Sequence, residues 1–141
     1  MGVVVQRLVD PEVSGVLFTR HPVSGADERV IEATWGLGEA VVQGLVAPDR
    51  YRLSPAGEVL ERSPGRKEVA IRVRLDGSTA AEPVAPEGIG ALCLGDEELA
   101  SLHRLALACE ERFEGPSDVE WALAAGDLHL LQRRPITAVA R

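Results

Sequence analysis

The sequence is short of aromatics, cysteine, lysine and positive charge, and each shortage narrows what the chain can be. Two Trp, one Tyr and two Phe in 141 residues leave a core to be built mainly from Val, Leu, Ile and Ala. Two cysteines, Cys93 and Cys109, are too few for a disulfide framework and lie outside any metal-ligand spacing. Cys109 falls on the apolar face of a predicted helix, which suits a buried free thiol. A net charge of −7 argues against general nucleic-acid binding, since phosphate backbones need a basic surface. It does not argue against a small phosphate ligand, which a few Arg residues and a divalent cation can hold on an acidic protein. No apolar run approaches the roughly 20 residues that span a bilayer, and Met1 to Asp10 lacks the charged-then-apolar plan of a signal peptide. These absences lead to the expectation of a cytoplasmic protein.

What is present is ordinary globular composition, 45% hydrophobic and 26% charged, in a length that suits one domain over residues 1–141. Gly2-Val3-Val4-Val5-Gln6 reads as a strand with nothing leading into it, as though an upstream segment were missing. Further strands are predicted at Ser14–Phe18, Arg29–Ala33, Tyr51–Leu53, Val59–Arg62 and Glu68–Arg74, with a short helix starting near Glu39 after Gly36-Leu37-Gly38. Asp76 to Gly95 loses periodicity and reads as a loop or lid. A helix from about Glu97 to Phe113 is predicted, N-capped by Asp96, with Leu99, Leu102, Ala106, Cys109 and Phe113 as its buried stripe. Gly115-Pro116 stops it. The whole reads as an α+β domain, largely antiparallel, with helices packed on one side.

The last predicted element is a hairpin, Asp118 to Ala124 and Leu128 to Arg134 around Ala125-Gly126-Asp127. On its first strand Asp118, Glu120 and Ala122 share a face opposite Val119, Trp121 and Leu123. On its second strand Leu128, Leu130, Gln132 and Arg134 share a face, with His129 turned away from Gln132. A three-residue loop sets Glu120 opposite Gln132 and Asp118 opposite Arg134; a two-residue loop puts Glu120 and Gln132 on opposite faces. In the first register Glu120 and the Gln132 carbonyl offer Mg²⁺ hard oxygens, and Arg134 offers a planar fork to a phosphate. The plainer reading is a surface hairpin with an ordinary Asp118–Arg134 ion pair, and residue pattern alone favours it.

The segments Asp118-Val119-Glu120-Trp121-Ala122 and Leu130-Leu131-Gln132-Arg133-Arg134-Pro135-Ile136-Thr137 resemble the pattern D-[IV]-E-W-A … L-L-Q-x-R-P-[IV]-T. That pattern closes the ATP-binding domain of phosphoenolpyruvate synthase, pyruvate phosphate dikinase and rifampin phosphotransferase. Val3 to Val9, Gly15 to Pro22 and Ile31 to Ala40 resemble the same family in the same order. Residues 31–51 are more similar to the synthase and rifampin enzymes than to the dikinase. The resemblance implies the C-terminal half of an ATP-grasp domain that binds ATP and Mg²⁺. It implies that Glu120 and Gln132 hold the metal, that Arg134 contacts the ATP phosphates as a catalytic residue, that Gln6 contacts the adenosine beside an interdomain hinge, and that Asp118 lies near the metals. In such enzymes the β-phosphoryl of ATP passes to a histidine on a mobile domain, leaving AMP and phosphate.

The family's N-terminal half, with its phosphate-contacting Lys, Arg and Gly-rich loop, has no counterpart in this chain, and neither has the phosphohistidine domain. His21, His103 and His129 are therefore not the carrier. The expectation is a piece inactive alone, with a partner half in cis or trans. The alternatives are a rifampin phosphotransferase-like half, or a non-catalytic or truncated module that docks with a separately encoded partner. Apolar surface around Val3 to Val5 would then be exposed and prone to self-association. Gly36-Leu37-Gly38 lacks the third glycine of a dinucleotide loop and reads as a turn before a helix. Arg20, Glu32 and Glu39 are weaker nucleotide contacts, and Trp35 and Trp121 read as core.

Overall fold

The computed structural model describes residues 1–136, and Thr137 of the closing pattern lies outside them. The element order is β1 (Val13–Phe18), β2 (Arg29–Trp35), α1 (Glu39–Val42), β3 (Asp49–Leu53), β4 (Val59–Ser63), β5 (Val69–Val73), β6 (Thr79–Pro83), α2 (Pro86–Ile89), α3 (Asp96–Arg112), β7 (Ser117–Ala124) and β8 (Asp127–Pro135). Six strands form one antiparallel sheet in the order β4-β3-β2-β1-β7-β8, and β5 pairs with β6 in a separate hairpin.

Alternation along the strands sorts side chains onto two faces. Leu17 lies between Ile31 and Val119, and Gly15 between Ala33 and Trp121. This row and Tyr51 and Leu53 of β3 meet Leu99, Leu102, Ala106 and Cys109 of α3 in the core. Gly15 has a steric reason: a Cβ there would sit 2.9 Å from the Trp121 ring and 1.8 Å from the Glu32 carbonyl oxygen. Burial of Arg29 on the same face is supported by Thr19 O at 3.2 Å, Asp27 at 3.2 Å and Glu110 of α3 at 2.9 Å.

Several expectations need correction. Residues 1–10 form no strand, and Val3, Val4 and Val5 are 83%, 86% and 96% exposed. Their β-branched pattern has no ladder to join, and propensity without a partner does not make a strand. The loop expected from Asp76 to Gly95 holds β6 and α2. Asp76-Gly77 closes the β5–β6 hairpin, with Gly77 at φ 85° and the Asp76 carboxylate accepting from Ser78 N at 2.9 Å. Asp96 is inside α3 and pairs with Arg62, while Gly95 takes the cap position and donates its N–H to Glu98 Oε2 at 2.9 Å. Phe113 ends the helix half-exposed, its ring 4.3 Å beneath the Arg133 guanidinium. Helices are not confined to one side: α3 covers the core face, and α1 lies over the other.

One feature had no sequence signature. Lys67 is fully buried and paired with Asp49, whose carboxylate also accepts from Gly65 N at 2.8 Å, Cys93 N at 2.7 Å and the Tyr51 hydroxyl at 3.3 Å. The cluster ties β3 to the segments before β5 and before α3. Burial, reinforced by the Asp49 charge, pushes both the Cys93 thiol and the Tyr51 phenol up, so each stays protonated.

Candidate functional site

The open face of the sheet is set by the β7–β8 hairpin, whose register is reached by an unexpected route. The loop has two residues, Ala125 at φ 51° and Gly126 at φ 82°, so Ala124 pairs with Asp127. That register alone would set Glu120 and Gln132 on opposite faces. An irregularity between Glu120 and Trp121 shifts it by one: Trp121 pairs with Leu130, Glu120 with Gln132, and Leu131 is the extra residue. The bulge restores Glu120 opposite Gln132 and Asp118 opposite Arg134. It also splits β8, leaving Leu128 and Leu130 on the Trp121 side and Gln132 and Arg134 on the Glu120 side. His129, paired with Ala122, therefore shares the Gln132 face, contrary to expectation.

Cross-strand pairing extends this face into rows. Gln132, Glu120, Val16, Glu32 and Arg50 stand side by side across β8, β7, β1, β2 and β3. The next row contains Arg134, Asp118, Phe18, Val30 and Arg52. Glu120 and Gln132 are exposed, free to reach a ligand. Arg134 Nε donates to Asp118 Oδ2 at 2.9 Å, and that hydrogen bond raises the Arg134 pKa further, so the guanidinium stays charged. Its neighbour Arg133 points to the core face, donating to Ser117 Oγ at 2.8 Å above Phe113. The two consecutive arginines thus lie on opposite faces of the sheet with different partners.

Beside the row lies an apolar cleft of about 270 Å³, between α1 and the sheet, lined among others by Val16, Glu32, Glu39, Glu120 and Leu131. A second cleft of about 200 Å³ shares Ser14, Leu37, Gly38 and Leu131 with it and reaches Gln6. The two clefts adjoin along these four residues and together form a trough, with Glu120 lining one part and Gln6 the other. Its wall depends on the Gly36–Gly38 turn. Gly36 is at φ 71°, its carbonyl accepts from Ser14 Oγ at 2.6 Å, and Leu37 N donates to Ile71 O at 2.8 Å. This is the turn before a helix that the sequence led us to expect. Glu32 and Glu39 line the trough; Arg20 opens instead onto a separate cleft with Arg29 and Glu110. Trp121 is core, and Trp35 packs partly against it, its indole donating to Gly88 O at 2.9 Å.

A sequence profile described as "Pyruvate phosphate dikinase, AMP/ATP-binding domain" matches residues 1–141. The chain belongs to that family. Among similar proteins, a probable phosphoenolpyruvate synthase of Methanothermobacter thermautotrophicus is 43% identical over 140 residues, which are 99% of this chain and 20% of that protein. A probable phosphoenolpyruvate synthase of Archaeoglobus fulgidus is 40% identical over 141 residues, 100% of this chain and 19% of that protein. A rifampicin phosphotransferase of Streptomyces sviceus is 40% identical over 140 residues, 99% of this chain and 16% of that protein. The chain therefore spans a fifth or less of the length of these relatives. As a member of the AMP/ATP-binding domain family, it carries a nucleotide-binding role. No helix among the described residues is long and apolar enough to cross a membrane.

Proposed function

We propose that the chain is the C-terminal wall of an ATP-grasp nucleotide site in a phosphotransferase of the phosphoenolpyruvate synthase type. The observation that carries this reading is the bulged register, which sets Glu120 against Gln132 and Asp118 against Arg134 at the end of a trough that reaches Gln6. The donor set suits Mg²⁺, with one carboxylate and one amide oxygen on the same face, exposed and leaving room for phosphate oxygens and water. Glu120 and Gln132 would hold the ion, which supplies charge neutralisation to the triphosphate. Arg134, presented by Asp118, grips a phosphate oxygen with its remaining N–H groups. Leu37 and Leu131 line the apolar part of the trough, which suits the nucleoside, with Gln6 at its far end for the adenosine. Positioning and charge account for most phosphoryl-transfer catalysis, and this face offers both.

In this reading the β-phosphoryl goes to a histidine on another domain, and an N-terminal half supplies the opposite wall, both in the cytoplasm with the ATP pool. The acceptor, whether pyruvate or a rifamycin, is chosen outside this chain. Mg·ATP is expected to shift the amide signals of Glu120, Gln132 and Arg134 selectively, weakly with the chain alone and more tightly when an N-terminal half from a relative is added. Calorimetry with and without that half measures the difference. No response at these residues even with both halves would remove the ATP reading. Robust AMP formation by the chain alone, lost in Glu120→Ala, would overturn its incompleteness. Exposed Val3 to Val5 leads us to expect concentration-dependent self-association, and a strictly monomeric species in sedimentation would contradict it.

A further inference from the structure

The same face carries a second feature, three strands away, that the nucleotide reading does not use. After β1 the chain turns through His21-Pro22-Val23-Ser24-Gly25, and the His21 ring folds back to hold the turn. Its Nδ1 accepts the Val23 amide at 3.2 Å and the Ser24 amide at 3.1 Å. A ring nitrogen that accepts amide protons holds none itself, so the proton of the ring sits on Nε2. Arg50 Nη2 stands 3.2 Å from that Nε2. A guanidinium has no acceptor, so two donors face one another with no acceptor between them.

The carboxylates around this pair bond elsewhere, although the Arg50 charge still reaches Glu61. Arg52, next along β3, is engaged by both Glu28 oxygens at 2.9 and 3.0 Å and by Glu61 at 3.0 Å. The other Glu61 oxygen accepts from Ser63 at 2.8 Å. Glu32 is the cross-strand neighbour of Arg50 but makes no ion pair with it, and Arg50 has no carboxylate partner among the described residues. Both donors are solvent-accessible, Arg50 being exposed and His21 partly so.

We propose that His21 Nε2–H and the Arg50 guanidinium form an oxyanion clip that takes a phosphoryl group distinct from any held at Glu120 and Gln132. The register separates the two places: Arg50, Glu32, Val16 and Glu120 lie on four successive strands, three spacings of about 4.8 Å or roughly 14 Å. With that backbone separation between the two places, the clip takes a second ligand. A phosphate oxygen satisfies both donors at once, and its double charge suits a guanidinium better than a carboxylate does. The preference for phosphoryl over carboxylate rests on the nucleotide reading; the clip itself rests on the donor geometry.

The test is a titration of the full chain with inorganic phosphate at fixed pH and ionic strength, following the His21 ring signals by NMR, with acetate and a phosphomonoester, glycerol 3-phosphate, in parallel. Saturable shifts with inorganic phosphate, weakened about tenfold in Arg50→Gln and unchanged in Glu120→Gln, are expected. A stronger response to glycerol 3-phosphate assigns the phosphoryl to a carried ester, and a weaker one to free phosphate. A response that does not saturate, one indifferent to Arg50→Gln, or an equal response to acetate would overturn the proposal. If His21→Asn unfolds the turn, the ³¹P linewidth of phosphate with Arg50→Gln alone still decides. Loss of the Mg·ATP response at Gln132 with the phosphate response retained would overturn the nucleotide site and leave the clip.

Discussion

The molecule contains two carboxylate–cation pairs of opposite character. Asp49 and Lys67 are sealed, with both side chains at 0% exposure, and the carboxylate is also satisfied by two backbone amides and a phenol. Asp118 and Arg134 lie on the open face, with Arg134 63% exposed and a single bond between them. The Asp49 carboxylate has no spare acceptor and both side chains are closed to solvent, so the work of the sealed pair is structural. The Asp118 side chain is only 15% exposed, but Arg134 keeps free N–H groups and can meet a phosphate while its Nε stays bonded to Asp118. Pairing a carboxylate with a cation fixes the fold in one setting and readies a binding group in the other; burial decides which.

Removing the sealed cation is expected to have the largest effect. Lys67→Met should cost about 3–5 kcal/mol in denaturant unfolding, because Asp49 is left buried and unpaired. Asp49→Asn combined with Lys67→Met should recover part of that loss, and a double variant no better than Lys67→Met would show that the charge is not what matters. Glu120→Ala comes next. Losing the carboxylate of the proposed Mg²⁺ pair should lower the Mg·ATP response of the assembled halves by at least about tenfold. Circular dichroism should change little if the comparison between structural and binding roles is sound.

An intermediate case is the part-buried Arg52–Glu28–Glu61 cluster. Hydrogen bonding to Arg52 holds Glu28 below its ordinary value near 4.5, and Ser63 and Arg52 do the same for Glu61. A carboxylate with a depressed folded pKa gives stability that is fully present above its unfolded value and lost as pH falls through the folded one. The midpoint of thermal unfolding should therefore fall as pH drops below about 4.5, less steeply in Arg52→Gln, with no such contribution between pH 6 and 8. The smallest effect belongs to Asp118→Asn, which should alter stability by less than about 1 kcal/mol. A loss as large as that of Lys67→Met would erase the distinction between the two pairs.

Much of this was legible in the sequence, unevenly. The strands from Val13 to Val73, the α3 stripe through Cys109 and the face shared by Asp118 and Glu120 follow from period-2 and helical spacing. The Glu120–Gln132 register was expected from a three-residue loop, but it comes from a two-residue loop and a bulge at Leu131. Residue pattern reveals that one residue is extra between the strands without saying where it sits. The strand expected at Gly2 to Gln6 failed because a strand is a property of pairs, and these residues have no partner strand among the described residues. The Lys67–Asp49 contact joins residues 18 apart in sequence through a fold-dependent enclosure, which no local spacing encodes. The His21–Arg50 encounter was equally invisible, since it depends on a turn folding back over β3.

Lys67 is the only lysine in the sequence, and its ammonium is out of reach in the folded protein. An amine-acylating reagent can modify that side chain only during the intervals when the fold around Asp49 opens. The rate of modification at Lys67, followed by mass spectrometry, would therefore time the opening of the domain at one natural position, with no label introduced.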